Sequence, residues 1–319
     1  MLEPTPRERD LHALVEDYFA TSFGTANELI TEAVRRMLAA GGKRLRPRFT
    51  LLAAESVGGR PDEHVRLAGF MELIHVATLI HDDVVDRADT RRGVNATAVD
   101  FGNRISVLAG DYLFAWIFKN VTADYAHPIP HVLSSTLADI TDGEVLQLRA
   151  LADLDTTLAD YVEIATKKTA SLFAASAECG ALAAGGSPFA VRALRDFGTA
   201  FGIAFQMRDD VLDLTADEAT LGKPVGNDLR ERKMTVPLVL ALEAGDREFR
   251  SAVERCFAAG DETHDQDVAA VVAAVAANGG VSKTEAVLAG YVERAKQSLA
   301  PLGTAPARSQ LAALADALL

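Results

Sequence analysis

The sequence predicts an all-α fold. Long stretches such as ELIHVATLIHDDVV (72–85) and GIAFQMRDDVLDL (202–214) place apolar residues at helical spacing. Glycine and proline clusters cut the chain into helix-sized pieces, at Gly41-Gly42, Gly58-Gly59-Arg60-Pro61, His127-Pro128-Ile129-Pro130 and Gly185-Gly186-Ser187-Pro188. No stretch alternates with period two for long enough to build a sheet. Ten or more helices in a single domain, residues 1–319, are expected, because 319 residues with 49% hydrophobic content can close one large core.

Taken in order, residues 10–40 read as two helices with a break at Thr21 to Thr25 and a cap at Thr25 or Asn27. Gly41-Gly42 stops the second, and Pro47 starts the helix that carries FTLLAAESV. After Gly93 comes a loop, then the apolar helix SVLAGDYLFAWIFKNV, then a helix holding LADITDGEVLQL. Asp153 to Asp155 is a turn, and Leu158 to Gly185 reads as one long helix containing KKTASLF. Pro188 starts the helix that contains residues 202–214, Thr215 to Lys233 is loop-rich, and Pro237 restarts a helix. From residue 262 onward the chain is Ala-rich and helical, with no chemical motif.

Composition excludes several classes of function. A net charge of −13 and a pI near 5.0 argue against nucleic acid as partner. Cys179 and Cys256 lack ligand spacing and give no disulfide framework, so a reducing, cytoplasmic setting is expected. MLEPTPRERD is too polar for a signal peptide, and no apolar run reaches the roughly 20 residues that cross a bilayer. Peripheral membrane contact stays open.

The chemistry concentrates where two apolar helices end in acid. The first delivers Asp82, Asp83 and Asp86. On a helix Asp82 and Asp86 share a face one turn apart, and Asp83 turns about 100° away. Carboxylates at a helix C-terminus repel one another and that end of the dipole, so they call for a counter-charge. Arg87 could serve; a cluster of hard oxygens suits Mg²⁺ better, with water and substrate phosphate completing the shell. Taken alone, the segment could be a solvated helix cap. The second helix repeats D-D-x-x-D as Asp209, Asp210 and Asp213, which suggests two facing walls of one deep cavity. Neither copy has the D-x-D-x-D-G pattern of a calcium loop.

Basic residues cluster beside glycine or acid, as if to meet phosphate. AGGKRLRP sets Lys43 and Arg46 on a glycine-relaxed turn at a helix start, without the spacing of a P-loop. Arg91 and Arg92 follow the first aspartates closely enough to reach the same cavity and fork onto phosphate oxygens. Lys168 with Thr169, Gln206 four residues before Asp210, and Lys223 complete a ring of donors. Each of these alone reads as an ordinary surface charge or helix residue, and His75 alone as a core histidine. Together, beside long apolar helices, they do not read as a surface.

These motifs resemble the all-trans polyprenyl (isoprenyl) diphosphate synthase family, medium- or long-chain type. The resemblance runs from GGKRLRP through ELIHVATLIHDDVVDRADTRRG, GEVLQL, KKTASLF and FQMRDDVLD to LGKPVGNDL, and weakens beyond about residue 250. It implies the isoprenoid synthase fold and a Mg²⁺-dependent, homodimeric prenyltransferase that joins an allylic diphosphate to isopentenyl diphosphate. By the same resemblance Asp82, Asp86 and Asp209 hold magnesium, three ions in all, with Asp83, Asp210 and Asp213 in support. Arg91, Lys168, Thr169, Gln206 and Lys223 would bind the allylic diphosphate. Lys43, Arg46, His75 and Arg92 would bind isopentenyl diphosphate. The family usually carries a different residue before the lysine of Lys167-Lys168, and the Lys-Thr pairing selects Lys168.

Product length would follow the depth of the apolar tunnel below the aspartates. Ala77 and Thr78, one turn below Asp82, are small, and the motif has no inserted residues; the family uses bulky aromatics or insertions there to stop growth early. Deeper floors are offered by Phe70, Met71 and Ile74, and by Phe114, Trp116 and Phe118 on the apolar helix after Gly93. At roughly one prenyl unit per 5.4 Å helical turn, a product of about thirty to fifty carbons is expected, such as a quinone side-chain precursor, with a twenty-carbon geranylgeranyl product as the alternative. A class I terpene cyclase would carry N-D-x-x-S-x-x-x-E as its second motif, and a regulatory subunit of a heteromeric synthase would be expected to lose aspartates. This chain keeps all six.

Overall fold

The computed structural model describes residues 6–91, 93–216, 225–258 and 264–319. Arg92 and Lys223, two of the expected phosphate ligands, lie outside the described residues. The chain forms two compact units: Met1–Ser135, Ala175–Arg195 and Pro301–Leu311 in one, and Thr136–Ala174, Asp196–Ala300 and Ala312–Leu319 in the other. Both are helical.

The first unit is built round α4 (Val65–Val85), which packs on α3 (Leu45–Ser56), α6 (Asn103–Asp124), α1 (Pro6–Ser22) and α2 (Glu28–Ala39). From Leu67 to Ile80 most of α4 is buried, because a helix apolar on nearly every side must be covered on every side. Two glycines set its distance from neighbours. A Cβ on Gly69 would lie 2.2 Å from the Tyr18 ring of α1, and one on Gly110 of α6 would lie 2.1 Å from the His81 ring. Asn27 caps α2 by accepting from the N–H groups of Leu29 and Ile30, as one of the two expected caps. Pro47 does not open α3: the helix starts two residues earlier at Leu45, leaving Pro47 in its first turn, where the missing N–H costs nothing. A two-residue antiparallel hairpin pairs β1 (Thr90–Arg91) with β2 (Val94–Asn95) through Gly93 at φ 78, a sheet too short for any alternation to announce. The short helix α5 (Thr97–Phe101) then leads into α6.

The second unit holds residues of α7 (Ile129–Ala150), α8 (Leu158–Ala165), α9 (Ser171–Ala183) and α10 (Pro188–Thr215). The long helix expected over 158–185 is interrupted: Thr166–Ala170 is a π turn between α8 and α9. Gly143 and Gly202 leave room beside it, since a Cβ on Gly143 would meet the Lys168 nitrogen at 2.6 Å and one on Gly202 would meet Ala170 Cα at 2.4 Å. The stretch expected as loop contains the short helix α11 (Asn227–Arg230). The remaining helices are α12 (Val236–Ala244), α13 (Arg247–Ala258), α14 (Asp265–Ala277), α15 (Gly280–Ser298) and α16 (Pro306–Asp316). Leu238, Val239, Phe249, Val253, Phe257, Val268, Val271 and Val275 make one core, so the motif-free tail is the packing that supports the end of α10. Among the described residues no helix is long and apolar enough to cross a membrane.

Candidate active site

The first acidic motif is sorted by how α4 ends. Asp86 N–H donates to the Asp82 carbonyl at 2.7 Å, Arg87 turns left-handed at φ 51, and Ala88 N–H closes back onto the Asp83 carbonyl at 3.0 Å. Asp82 and Asp86 stay half-exposed on one face. Asp83 is fully buried, and the Arg91 guanidinium lies on its Oδ1 through Nε at 2.7 Å and Nη2 at 2.6 Å. Burial pushes the Asp83 carboxyl above the usual carboxylate range and Arg91 pulls the other way. The counter-charge to Asp83 is therefore Arg91 on the hairpin; Arg87, the candidate read from the sequence, is exposed and terminates the helix.

His81, just ahead of the aspartates, is seated on α6. Its Nε2 lies 3.0 Å from the Val107 carbonyl and 3.7 Å from Asp111, and its ring meets Phe114 edge-on at 5.8 Å. One turn further in, Thr78 is half-buried and donates to the His75 carbonyl at 2.8 Å. At about 100° per residue, Thr78 and His75 lie under Asp82, whereas Ala77 is turned about 140° away. Ala77 and Ile74 are fully buried. Trp116 is half-buried in an aromatic cluster, 5.4 Å from Phe23 and 6.0 Å from Phe70.

The basic turn before α3 divides its cations. Lys43 is exposed and Arg46 half-buried in the first helical turn. Arg44 between them points inward, with its Nη1 3.0 Å from buried Glu72 of α4. Burial opposes the charge on Arg44, yet Glu16 and Glu72 outweigh it and raise its pKa.

The second acidic motif is sorted differently. Asp209 is exposed, while Asp210 and Asp213 are buried. Asp210 accepts from Gln206 Nε2 at 3.1 Å and from Val236 N–H at 3.3 Å, and the buried Tyr161 hydroxyl faces it. Gln206 in turn accepts the Thr169 hydroxyl at 2.8 Å, so two expected ligands and one supporting acid form a single chain of hydrogen bonds. Burial raises the Asp210 pKa to about 6, against the pull of those donors. Asp213 Oδ2 accepts Asp228 N–H at 3.1 Å, in the first turn of α11. Lys168 donates to Gln147 at 2.5 Å and ion-pairs with Glu144, whereas Lys167 reaches Asp142 and Glu163 at 3.7 Å. Glu144 and Gln147 of GEVLQL thus hold the lysine, a role carried by their i,i+3 spacing but not assigned from it. Tyr161 gave no signal, being one more residue of an apolar helix.

Among the described residues no three His, Cys, Asp or Glu side chains form a ready cluster for a metal ion. The acids of the two motifs that reach the surface are Asp82 and Asp86 in the first and Asp209 in the second. Carboxylate oxygens so few in number are hard donors of the kind that suits a cation that keeps water and takes phosphate oxygens, as Mg²⁺ does.

A model of the polyprenyl synthetase family matches residues 27–275. The chain belongs to the polyprenyl synthetase family. It is a prenyltransferase, a trans-polyprenyl diphosphate synthase. A short chain isoprenyl diphosphate synthase of Methanothermobacter thermautotrophicus is 38% identical over 296 residues, 92% of this chain and 90% of the relative. The octaprenyl diphosphate synthase of Escherichia coli is 42% identical over 232 residues, 72% of each chain. The crystal structure of a polyprenyl synthase from Caulobacter crescentus, in complex with calcium and isoprenyl diphosphate, matches with a TM-score of 0.92 and 37% identity, over 97% of this synthase and 94% of that chain.

Proposed function

We propose that this synthase extends an allylic diphosphate with isopentenyl diphosphate in the all-trans sense, with Asp82, Asp86 and Asp209 as its magnesium ligands. The observation that supports this reading is the sorting of the two acidic motifs by burial: Asp82 and Asp86 are half-exposed and Asp209 exposed, while Asp83, Asp210 and Asp213 are buried. Asp83 is committed to Arg91, Asp210 to Gln206 and Val236, and Asp213 to α11. Three magnesium ions, when bound, would supply positive charge against the departing diphosphate without protonating it.

The chain's own residues do the rest. Arg91, held by Asp83, and Lys168, held by Glu144 and Gln147, present fixed cations to the allylic diphosphate, joined by Lys223. Their charge counts most as negative charge grows on the leaving group. Thr169 and Gln206 are locked to each other and join the cations in binding the allylic diphosphate, with the Thr169 hydroxyl set to steady the allylic carbon as it turns cationic. Lys43, Arg46, His75 and Arg92 fix isopentenyl diphosphate so that its alkene attacks, and the released diphosphate takes the proton. The apolar α4 keeps water from the cation.

The small Thr78 under Asp82 and the synthase of Escherichia coli support a product of about thirty to fifty carbons at roughly one prenyl unit per helical turn. The short-chain relative supports a twenty-carbon product as the second reading. The whole chain acts as one catalytic unit in the cytoplasm, as a homodimer packed through α6, where Val107, Leu108 and Tyr112 are exposed. The test is the purified chain with farnesyl diphosphate, isopentenyl diphosphate and Mg²⁺, with and without a chelator. Linear all-trans diphosphates that vanish on chelation are expected. Cyclic hydrocarbons, or silence until a second protein is added, would overturn the reading.

A further inference from the structure

The guanidinium of Arg44 is anchored inside the protein through all three of its nitrogens. Its Nε donates to Glu16 of α1 at 2.6 Å, Nη1 to Glu72 of α4 at 3.0 Å and Nη2 to the Leu38 carbonyl near the end of α2 at 2.8 Å. Its planar head lies 5.1 Å from the centre of the Phe19 ring, and its side chain is 3% exposed. Three of its five N–H groups are donated to three different elements, and the head is closed off from solvent, so Arg44 does not present itself to a phosphate. Yet it sits between Lys43 and Arg46, the two cations assigned to isopentenyl diphosphate.

The backbone explains the placement. Gly41 at φ 77 and Gly42 at φ 152 reverse the chain after α2, and Arg44 itself stands in the left-handed region at φ 46. A non-glycine residue keeps that conformation only where its surroundings hold it. What holds it is the three-way anchorage of the side chain. With Arg44 turned inward, Lys43 is directed to solvent and Arg46 falls in the first turn of α3, whose N-terminus has no side-chain cap. Glu72 lies one turn before His75 and ten residues before Asp82 on the same helix, about 15 Å along its axis.

We infer that Arg44 is a positioning residue for isopentenyl diphosphate, tying the Lys43–Arg46 turn to α4 at a set height relative to His75 and the aspartates. This inference rests on the assignment of Lys43 and Arg46 to that substrate. The Glu16 arm tunes the anchorage from a half-exposed position, and the Glu72 arm carries it from within the core.

The experiment compares Arg44→Lys, Arg44→Met, Glu16→Gln and Lys43→Ala by steady-state kinetics, varying isopentenyl and farnesyl diphosphate separately, alongside thermal melts. Arg44→Lys keeps one arm and raises KM for isopentenyl diphosphate about tenfold, Arg44→Met raises it further, and Glu16→Gln raises it roughly twofold to threefold. KM for farnesyl diphosphate stays within about twofold throughout, because only one substrate's anchor has moved. Should Arg44→Met fail to fold, Arg44→Lys and Glu16→Gln carry the comparison. If the Arg44 and Glu16 variants lower the melting temperature while both KM values stay put, and Lys43→Ala still raises KM for isopentenyl diphosphate, Arg44 is only structural and the inference fails. If Lys43→Ala leaves that KM unchanged, it is the substrate assignment that fails.

Discussion

Six aspartates in two identical patterns end in different environments. Helical spacing alone pairs Asp82 with Asp86 and Asp209 with Asp213. The first pairing holds, with Asp83 taken by Arg91. The second does not: Asp209 is exposed and Asp213 buried, because the chain returns through Gly226 and brings Asp228 N–H to the Asp213 carboxylate. Replacing Asp82 or Asp86 with Ala should therefore lower kcat by about a thousandfold or more, with little change in the melting temperature, since neither is buried. Asp83→Asn is expected to behave differently. It leaves the metal oxygens intact and loosens Arg91, raising KM for the allylic substrate more than it lowers kcat. Steady-state kinetics on the three variants, with melts beside them, separates the roles; identical profiles would remove the distinction.

Between elements, small residues decide where the acidic helix end stands. Gly110→Ala puts a Cβ 2.1 Å from the His81 ring, so either α6 retreats from α4 or the ring, next to Asp82 in the chain, swings off the Val107 carbonyl. Such overpacking should cost about 1–3 kcal/mol of stability and lower turnover with it; a denaturant titration and an assay check both, and a variant as stable and active as the parent would show that α6 yields. The α1–α4 contact has a pH signature. Burial pushes the Tyr18 phenol up to about 12 from its ordinary 10. Between those pH values the folded chain keeps a proton that the unfolded chain has lost, so stability falls as pH rises through that window. Tyr18→Phe removes this part of the alkaline slope, which chemical denaturation at pH 9 and 11 measures. The π turn at Thr166–Ala170 belongs to the same scale. It was hidden in the sequence because Ala-rich flanks read as uninterrupted helix, and only the approach of Gly143 shows why the backbone widens at Lys168.

For the whole molecule, product length and assembly are the open quantities. Thr78→Phe fills the face under Asp82 and should shorten the product, and Ala77→Phe, on a fully buried face, should shorten it less and cost more stability. Chromatography of the dephosphorylated products reads the outcome, and an unchanged distribution in both would sink the tunnel argument. Leu108 is 54% exposed on α6, and Leu108→Glu is expected to convert a dimer to a monomer in light scattering. A parent chain that is already monomeric would refute the packing through α6.

The sequence alone determined the helical class, the two acidic ends, the basic turn at Lys43 and the family, because helical periodicity and motif spacing are local and survive without knowledge of neighbours. The tertiary structure decided which member of each motif is buried, which cation partners which acid, and that Arg44 faces inward while Lys43 faces out. Those outcomes depend on residues well outside any local spacing, 28 positions away for Glu72 and Arg44 and 15 for Asp228 and Asp213, that arrive only when the helices pack. A spacing rule shows which side chains share a face; burial and hydrogen bonding then set what each one does there.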